Sequence, residues 1–321
     1  MSGFTSYADI YDPEVLKMLI GENWLNDPRV VQSGIVMRDQ LQIQGTLGTN
    51  IRQKRFQDSS GQALKAGDPI SSVGKVQEAV NSPVLWRYNS TIDPDAIADI
   101  ESKLAPDMNA SLAGDISAAS SQYVDDSAIA IMEGVAAALS SNQTSGTGVT
   151  ITLAKLNAAK AKSLDKTTQL DSGAIILDSK VFYDLVALGL LAATANTFGI
   201  QLQENMVASG NLPTNVLGLT PIVTDKLSSA PSSEYYTYLV GANSLVLQGN
   251  GAPQVEVHRL SDTFATRTNF KLRYGLGVRA MKWGVSGKED ATDTELATST
   301  NWTLSTNANS NDVAIYRLLT K

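Results

Sequence analysis

Cysteine is absent from the 321-residue sequence, and histidine occurs once, at His258. The lack of cysteine excludes disulfides, thiol catalysis and cysteine-ligated metals, and a single histidine excludes a multi-histidine metal site. Aromatic residues make up only 6% of the chain and are scattered, which argues against an aromatic sugar-binding patch. A basic excess is also missing, since the net charge is −7. A nucleic-acid-binding surface covering the whole chain is therefore not expected.

Long apolar runs are missing as well. The first fourteen residues, MSGFTSYADIYDPE, contain Asp9 and Asp12 and lack the apolar centre of a secretion signal. The most apolar run, residues 185–195, is shorter than the roughly 20 residues needed to cross a bilayer. We therefore predict an intracellular protein without a membrane segment.

Catalytic motifs are represented only by partial matches. Residues 284–288, GVSGK, resemble a phosphate-binding loop, but Glu289 follows the lysine where serine or threonine is required. Asp290, Asp293 and Glu295 lack the glycine of a calcium-binding loop, so a solvated acidic loop is the better interpretation. His258 lies in an alternating strand, and we expect a packing or hydrogen-bonding role. We predict no enzyme activity, no cofactor and no metal site.

The most regular pattern is an apolar stripe along residues 107–141. Its members recur at three- and four-residue steps, the period of one helix face. They are Met108, Leu112, Ile116, Ala119, Tyr123, Ala130, Ile131, Val135 and Leu139, with Ser127 filling one position. We predict one helix capped by Asp107 and about 50 Å long at ~1.5 Å per residue. Two helices broken near Gly114 or at residues 120–121 are the alternative, since glycine and serine lower helix propensity.

The first ninety residues do not contain a core of their own. Residues 14–25 predict a short helix and residues 30–37 a strand, whose apolar side chains, including Trp24, must pack on a distant segment or another chain. Residues 46–82 are polar and carry a basic group at Arg52, Lys54 and Arg55. Their spacing of β-branched residues favours a loose hairpin. Either this is a mobile surface loop, or it is an extended arm ordered against a neighbouring subunit.

The rest of the chain alternates helices and strands. Residues 82–91 predict a strand, and residues 94–103 predict a short helix opened by Pro94. Residues 140–148 have the composition of a linker, and residues 150–250 that of an α/β or α+β module. Residues 268–284 show the clearest two-residue alternation and predict the sheet that the long helix covers. A polar connection at 287–301 and a strand at 311–319 complete the chain.

This order of parts resembles the major capsid proteins of tailed phages of the Hong Kong ninety-seven type. Four stretches carry the resemblance, in the order expected for that family. They are AIILDSKVFYDLVALGLL (174–191), NVLGLTPIVTD (215–225), FATRTNFKLRYGLGVRAMKWG (264–284), and NWTL (301–304) followed by DVAIYRL (312–318).

The resemblance implies an α+β phage capsid fold with five consecutive parts. Residues 1–45 would be the N-arm and 46–90 the extended E-loop hairpin. Residues 91–149, with the spine helix, and the returning strands and C-terminus at 254–321 would form the peripheral domain. Residues 150–253 would be the axial α/β domain.

The implied function is a structural capsid protein that assembles into hexamers and pentamers of an icosahedral shell around double-stranded DNA. The location would be the virion capsid, after assembly in the host bacterial cytoplasm. Expected partners are further copies of the chain, a separate scaffolding protein, a possible cement protein and a portal at one vertex. The packaged DNA would be contained without sequence-specific binding, because the chain is acidic. No membrane partner is expected, and Lys54 and Lys65 carry no motif for a covalent crosslink, so a non-covalent shell is expected.

The expected interface residues lie in the arm, the hairpin and the short helix after it. The basic group would meet acidic side chains of a neighbouring subunit. The set is Trp24, Arg52, Lys54, Arg55, Ser59, Gly61, Asp95, Asp99 and Glu101.

Two alternatives remain at this stage. An encapsulin-like nanocompartment shell has the same architecture but lacks a long E-loop of this kind, so residues 46–82 favour the phage shell. A β-rich surface or adhesive protein would need a secretion signal or a convergent aromatic and carboxylate patch.

Overall fold

The computed structural model describes residues 30, 33–39, 50–56, 76–93, 105–144, 149–166, 172–193, 216–228, 230, 234–249, 254–260, 265–285, 291–305 and 308–321. The helices are α1 (Ala105–Ala138), α2 (Leu153–Lys166), α3 (Ser179–Ala193) and α4 (Asp293–Ala297). The strands are β1 (Val36–Asp39), β2 (Asn50–Phe56), β3 (Val76–Asp93), β4 (Gln143–Thr144), β5 (Gly173–Leu177), β6 (Thr220–Val223), β7 (Tyr235–Gly241), β8 (Leu245–Gly249), β9 (Gln254–Leu260), β10 (Ala265–Val278), β11 (Met281–Trp283), β12 (Trp302–Leu304) and β13 (Ile315–Thr320). This mixture of helix and sheet confirms the predicted α+β class.

The larger sheet is built around β10. Its strands follow the order β1-β8-β10-β3-β2. Strand β9 also pairs with β10, along the same edge as β8 but at the opposite end of the strand. The alternation predicted for β10 is confirmed, because Phe270, Leu272, Tyr274, Leu276 and Val278 are all buried. The predicted strand was too long, however. β10 ends at Val278, and a turn at residues 279–280 directs the chain into β11, which pairs with β12 instead.

A second sheet has the order β4-β13-β7-β5-β6. One face, with Ile176, Val240 and Ile315, joins the core around α1. The other face, with Leu177 and Leu239, joins a separate core under α2 and α3. Because residues alternate between the faces, the sheet is covered on both sides. The predicted linker at 140–148 was partly wrong, since Gln143 and Thr144 form β4 beside β13.

Helix α1 runs without a break through Gly114 and residues 120–121, which confirms the single-helix prediction. The hydroxyl of Ser120 donates to the carbonyl of Ile116 at 2.6 Å, so this buried polar group is satisfied inside the helix. The helix begins two residues before Asp107, which therefore lies within the first turn.

The prediction that α1 buries a single apolar stripe against a single sheet was incomplete. Every residue from 127 to 136 is buried. The reason is that α1 contacts β10 of the larger sheet, β13 of the second sheet, and α4 with β12. The helix thus fills the space between the two sheets and carries much of the core on its surface.

The predicted polar connection at 287–301 was also wrong in part, because it contains α4. Thr292 and Glu295 form a capping box at the start of this helix, and Leu296 is fully buried against the core. The predicted strand at 30–37 is shifted, since β1 begins at Val36. The predicted helices at 14–25 and 94–103 lie outside the described residues.

Candidate assembly surfaces

The β2–β3 hairpin projects from the larger sheet. β3 is 18 residues long, and its two halves have different partners. Its first half pairs with β2 up to Pro83, and its second half pairs with β10 from Val84 onwards. Within the described residues, β2 has no other strand partner. The predicted hairpin is therefore present, and it extends beyond the body of the sheet as a two-stranded ribbon.

The basic group lies on this ribbon. Arg52 is paired with Asn81, Lys54 with Ala79 and Arg55 with Glu78, and a bulge follows Arg55. The remaining predicted interface residues, Trp24, Ser59, Gly61, Asp95, Asp99 and Glu101, lie outside the described residues.

Arg87 anchors β3 to the rest of the molecule. Its Nη2 lies 2.6 Å from Oδ1 of Asp293 on α4 and donates to the hydroxyl of Ser127 on α1 at 3.0 Å. Its Nη1 donates to the carbonyl of Ala291 at 3.5 Å. The Arg87 side chain is only 13% exposed, whereas the Asp293 side chain is 50% exposed, so the ion pair lies at the edge of the buried region. One side chain thus fixes the strand that carries the hairpin to both α1 and α4.

Tyr274 of β10 completes this arrangement. Its hydroxyl lies 3.0 Å from the hydroxyl of Ser127 and donates to the carbonyl of Tyr123 at 3.1 Å. Burial raises the pKa of Tyr274, so its hydroxyl stays neutral and available as a donor. The only sequence signal for this network was Ser127, a polar residue in an otherwise apolar stripe. The acidic loop was misjudged, because Asp293 pairs with Arg87 and Glu295 closes a cap.

A groove runs along α1 from Ala118 to Glu133. It consists of two clefts, of about 730 and 470 Å³, that share Asp126, Ile129 and Lys226. We call it the α1 groove. Its opposite wall is formed by residues 222–226 and 228 and by residues of α4.

The α1 groove has an apolar floor and an acidic rim. Ile129 and Ile222 lie at the floor and are almost fully buried. Five carboxylates line the two clefts against one ammonium group, that of Lys226. The five are Asp125, Asp126, Glu133, Asp225 and Asp293.

Asp126 lies at the centre of the groove. Its Oδ2 is 3.8 Å from the Nζ of Lys226. Burial is the largest influence on the pKa of this carboxyl and raises it. The positive charge of Lys226 lowers the pKa, whereas the nearby carboxylates of Asp293 and Asp225 raise it further. Arg87, which pairs with Asp293, also lowers the pKa of Asp126, so the negative charge of the groove is balanced in part by both Lys226 and Arg87.

Glu133 fastens the wall of the groove to α1. Its two carboxylate oxygens accept hydrogen bonds from the backbone N–H and the hydroxyl of Ser228, each at 2.6 Å. Glu133 is 8% exposed, so these are shielded, charge-assisted hydrogen bonds. Burial, followed by the charge of Glu133, raises the pKa of Tyr238 nearby.

Other kinds of site find no support in the part of the chain that the structure describes. No cluster of three or more metal-ligating side chains is present among these residues. His258 is exposed and lies 3.5 Å from Oε2 of Glu256, which fits the expected hydrogen-bonding role. No helix in the described ranges is long and apolar enough to span a membrane.

Comparison with known proteins links this architecture to phage shells. The sequence model of the family "Gp13-like: Major capsid protein 13-like" matches residues 88–313. No curated protein sequence shows significant similarity to this one.

Solved phage capsids have the same fold. The capsid of Helicobacter pylori bacteriophage KHP30 is 11% identical, with a TM-score of 0.54 over 89% of this chain and 87% of the other. The head structure of H. pylori bacteriophage KHP40 is 13% identical, with a TM-score of 0.50 and the same coverage. The capsid of Ralstonia phage GP4 is 9% identical, with a TM-score of 0.52 over 77% of this chain and 83% of the other. These similarities confirm the predicted phage capsid fold.

Proposed function

Because the chain belongs to the Gp13-like family of phage major capsid proteins, we propose that its copies assemble as hexamers and pentamers into an icosahedral shell around double-stranded DNA. As a major capsid protein, it is a structural component of the virion shell and not an enzyme. The observation that carries the proposal is the β2–β3 ribbon, which leaves its own sheet and carries the basic group. The family match also favours a phage shell over the encapsulin and surface-protein alternatives.

The ribbon needs a partner for physical reasons. A two-stranded hairpin is marginally stable in water, because it buries little apolar surface on either face. Contact with another subunit supplies that burial, and obligate interfaces of this kind remove about 2,000–5,000 Å² from solvent. The interface proposed from the sequence, including Arg52, Lys54 and Arg55, fits a ribbon that reaches a neighbouring copy.

The division into parts is likewise a proposal. We assign residues 1–45 to an N-arm, 46–90 to the E-loop, 91–149 and 254–321 to a peripheral domain, and 150–253 to an axial domain. The strand pairing favours a different domain assignment for three strands. β4 and β13 lie in one sheet with β5–β7 and fit the axial domain, whereas β8 pairs with β10 and fits the peripheral domain.

The proposed partners follow from shell assembly. They are a separate scaffolding protein, a possible cement protein, a portal at one vertex and the packaged DNA. The net charge of −7 supports a shell that contains DNA without sequence-specific binding. Assembly would take place in the host bacterial cytoplasm, without a membrane.

Electron microscopy of the purified protein, combined with limited proteolysis, tests the proposal. We expect closed shells, tubes or six-fold rings in which residues 46–82 are protected from cleavage. Dissociation of the particles in denaturant provides the control, and the same segment should then be cut rapidly. A stable monomer cleaved rapidly near Ser59–Gly61 would contradict self-assembly through this hairpin.

A further inference from the structure

We propose that the outer edge of β9 pairs with the β9 edge of a second copy of this chain across a two-fold axis. The inference rests on the proposed shell function and names one contact that joins two copies. The two strands run antiparallel, with Val257 of one copy opposite Val257 of the other. The larger sheets of the two copies then form one continuous sheet.

Strand β9 offers an edge for such pairing. All of its residues, Gln254–Leu260, pair with β10 on one side, and among the strands that the structure describes none lies along the other side. Its outer edge therefore presents main-chain N–H and C=O groups that another strand can pair with. Proline is absent from β9, so no backbone donor is missing along this edge.

The other edge strands of the two sheets are poorer candidates for pairing with their own copy. β2 carries three basic side chains and no acidic one, so two copies of β2 repel each other. β1, β4 and β6 contain only four, two and four residues, and Pro221 in β6 lacks a backbone donor. The length and composition of β9 thus distinguish it from the other edges.

The sequence of β9 is complementary to itself in one register. Two-fold axes belong to icosahedral symmetry, and a contact on such an axis must be self-complementary. With the axis at Val257, Glu256 of each copy lies opposite His258 of the other, so a carboxylate that only accepts hydrogen bonds meets an imidazole that can donate one. An axis at Glu256 would place two carboxylates opposite each other, which is unfavourable. An axis at His258 would leave both carboxylates without an imidazole directly opposite.

The two faces of the strand match in the same register. The side chains of Glu256 and His258 are 69% and 56% exposed and lie 3.5 Å apart within one copy. Pairing therefore places each carboxylate between two imidazoles on the solvent face. On the other face Val255 is buried, whereas Val257 packs against the core and is only partly buried. Val257 of the second copy covers the part that remains open, which adds apolar burial to the contact.

Engineered disulfides test the pairing and its register, because the chain contains no cysteine. Chains with Glu256→Cys and with His258→Cys are expressed singly and together, assembled and oxidised. Directly opposite residues have Cα atoms about 4.5–5.5 Å apart, within the range of a disulfide. Equal positions are diagonal neighbours in this register, about 7–8 Å apart, which is too far.

We therefore expect a dimer on a non-reducing gel from the mixture and from neither variant alone. Dithiothreitol should dissolve this dimer, and the mass spectrum should show the peptides around positions 256 and 258 joined. The mixed contact retains one native pair of Glu256 with His258, so it should still form. Arg279→Cys is the matched control, because it lies in an exposed turn beyond the end of β10 that is remote from β9. Its mixture with Glu256→Cys should give no dimer.

Further arms separate the outcomes. Ser90→Cys with Asn269→Cys in one chain confirms oxidation, because these residues face each other in β3 and β10. Assembled particles with this internal disulfide but no mixed dimer would overturn the β9 pairing and leave the shell function intact. A dimer from Glu256→Cys alone or from His258→Cys alone would overturn the pairing centred on Val257. Failure of the wild-type chain to form particles would overturn both proposals.

Discussion

The hydroxyl groups of Ser127 on α1 and Tyr274 on β10 lie 3.0 Å apart in the buried space between the helix and the larger sheet. Ser127 also accepts a hydrogen bond from Arg87, and its Oγ lies 3.2 Å from Oδ1 of Asp293. A small polar side chain on α1 thus links β10, the strand that carries the hairpin, and α4. A continuous apolar stripe would give the helix burial but no fixed register against these three elements.

We expect Ser127→Ala to lower the free energy of unfolding by about 1–3 kcal/mol, because the buried Tyr274 hydroxyl loses one partner and Arg87 another. Urea unfolding at fixed protein concentration measures the change, since the stability of an assembling chain depends on its concentration. Ser120→Ala is the matched control. Ser120 is equally buried in the same helix, but its hydroxyl bonds only to the carbonyl of Ile116. Equal losses for both variants would show that the links to Tyr274 and Arg87 add nothing.

How far the sequence could predict this arrangement depends on the range of the interactions. The α1 helix and the alternation of β10 follow from local periodicity, and both are present. The small helix α4 was missed because its polar residues look solvated until Asp293 is placed beside Arg87, 206 positions earlier. The α1 groove was missed for a similar reason. Asp126 and Lys226 are far apart in sequence, and no local pattern in either segment indicates that they are close together in the fold.

Two glycines in α1 should respond to alanine in opposite directions. A Cβ at Gly134 would lie 2.9 Å from Nε1 of Trp302 and closer still to the carbonyl of Leu296. These two groups form a hydrogen bond of 2.7 Å with each other, so neither moves freely. A Cβ at Gly114 would meet nothing within 4 Å.

We therefore expect Gly134→Ala to destabilise the protein by roughly 1–3 kcal/mol through overpacking, although alanine is the better helix former. Gly114→Ala should stabilise it by about 0.5–1 kcal/mol, because it restricts the unfolded chain at an exposed helical position. Thermal unfolding of both variants measures whether each one is more or less stable than the wild type. A stabilising Gly134→Ala would mean that α4 and β12 do not pack against α1 as closely as described.

The pH dependence of stability should contain a contribution from Asp126. Its pKa is raised by burial, so the folded chain holds the proton at pH values at which the unfolded chain has released it. The contribution of this group to the free energy of unfolding therefore rises as the pH falls from neutral towards the ordinary value of 3.8. Asp126→Asn should be more stable than the wild type at neutral pH, and this advantage should shrink as the solution is acidified.

Urea unfolding from about pH 4 to about pH 7 measures the difference between the two chains. Lys226→Met tests the cause, because Lys226 opposes the rise in the pKa of Asp126. Removal of Lys226 should raise the pKa of Asp126 further. The stability should then depend on pH up to higher pH values than in the wild type. A difference between wild type and Asp126→Asn that stays constant with pH would contradict the assignment.

Glu133 should control how firmly the wall of the α1 groove is held. Its carboxylate accepts both hydrogen bonds from Ser228, and hydrogen bonds to a charged group contribute about 1.5–3 kcal/mol, against about 0.5–1.5 kcal/mol for neutral pairs. Glu133→Gln keeps the shape but removes the charge, so the segment at 224–228 should open more often.

A loss of about 1.4 kcal/mol corresponds to a tenfold change in an equilibrium. We therefore expect amide hydrogen exchange in this segment to be about tenfold faster, whereas Glu256→Gln, at an exposed carboxylate on β9, should leave it unchanged. Unaltered exchange in Glu133→Gln would mean that packing at Ile222, and not the carboxylate, holds the wall in place.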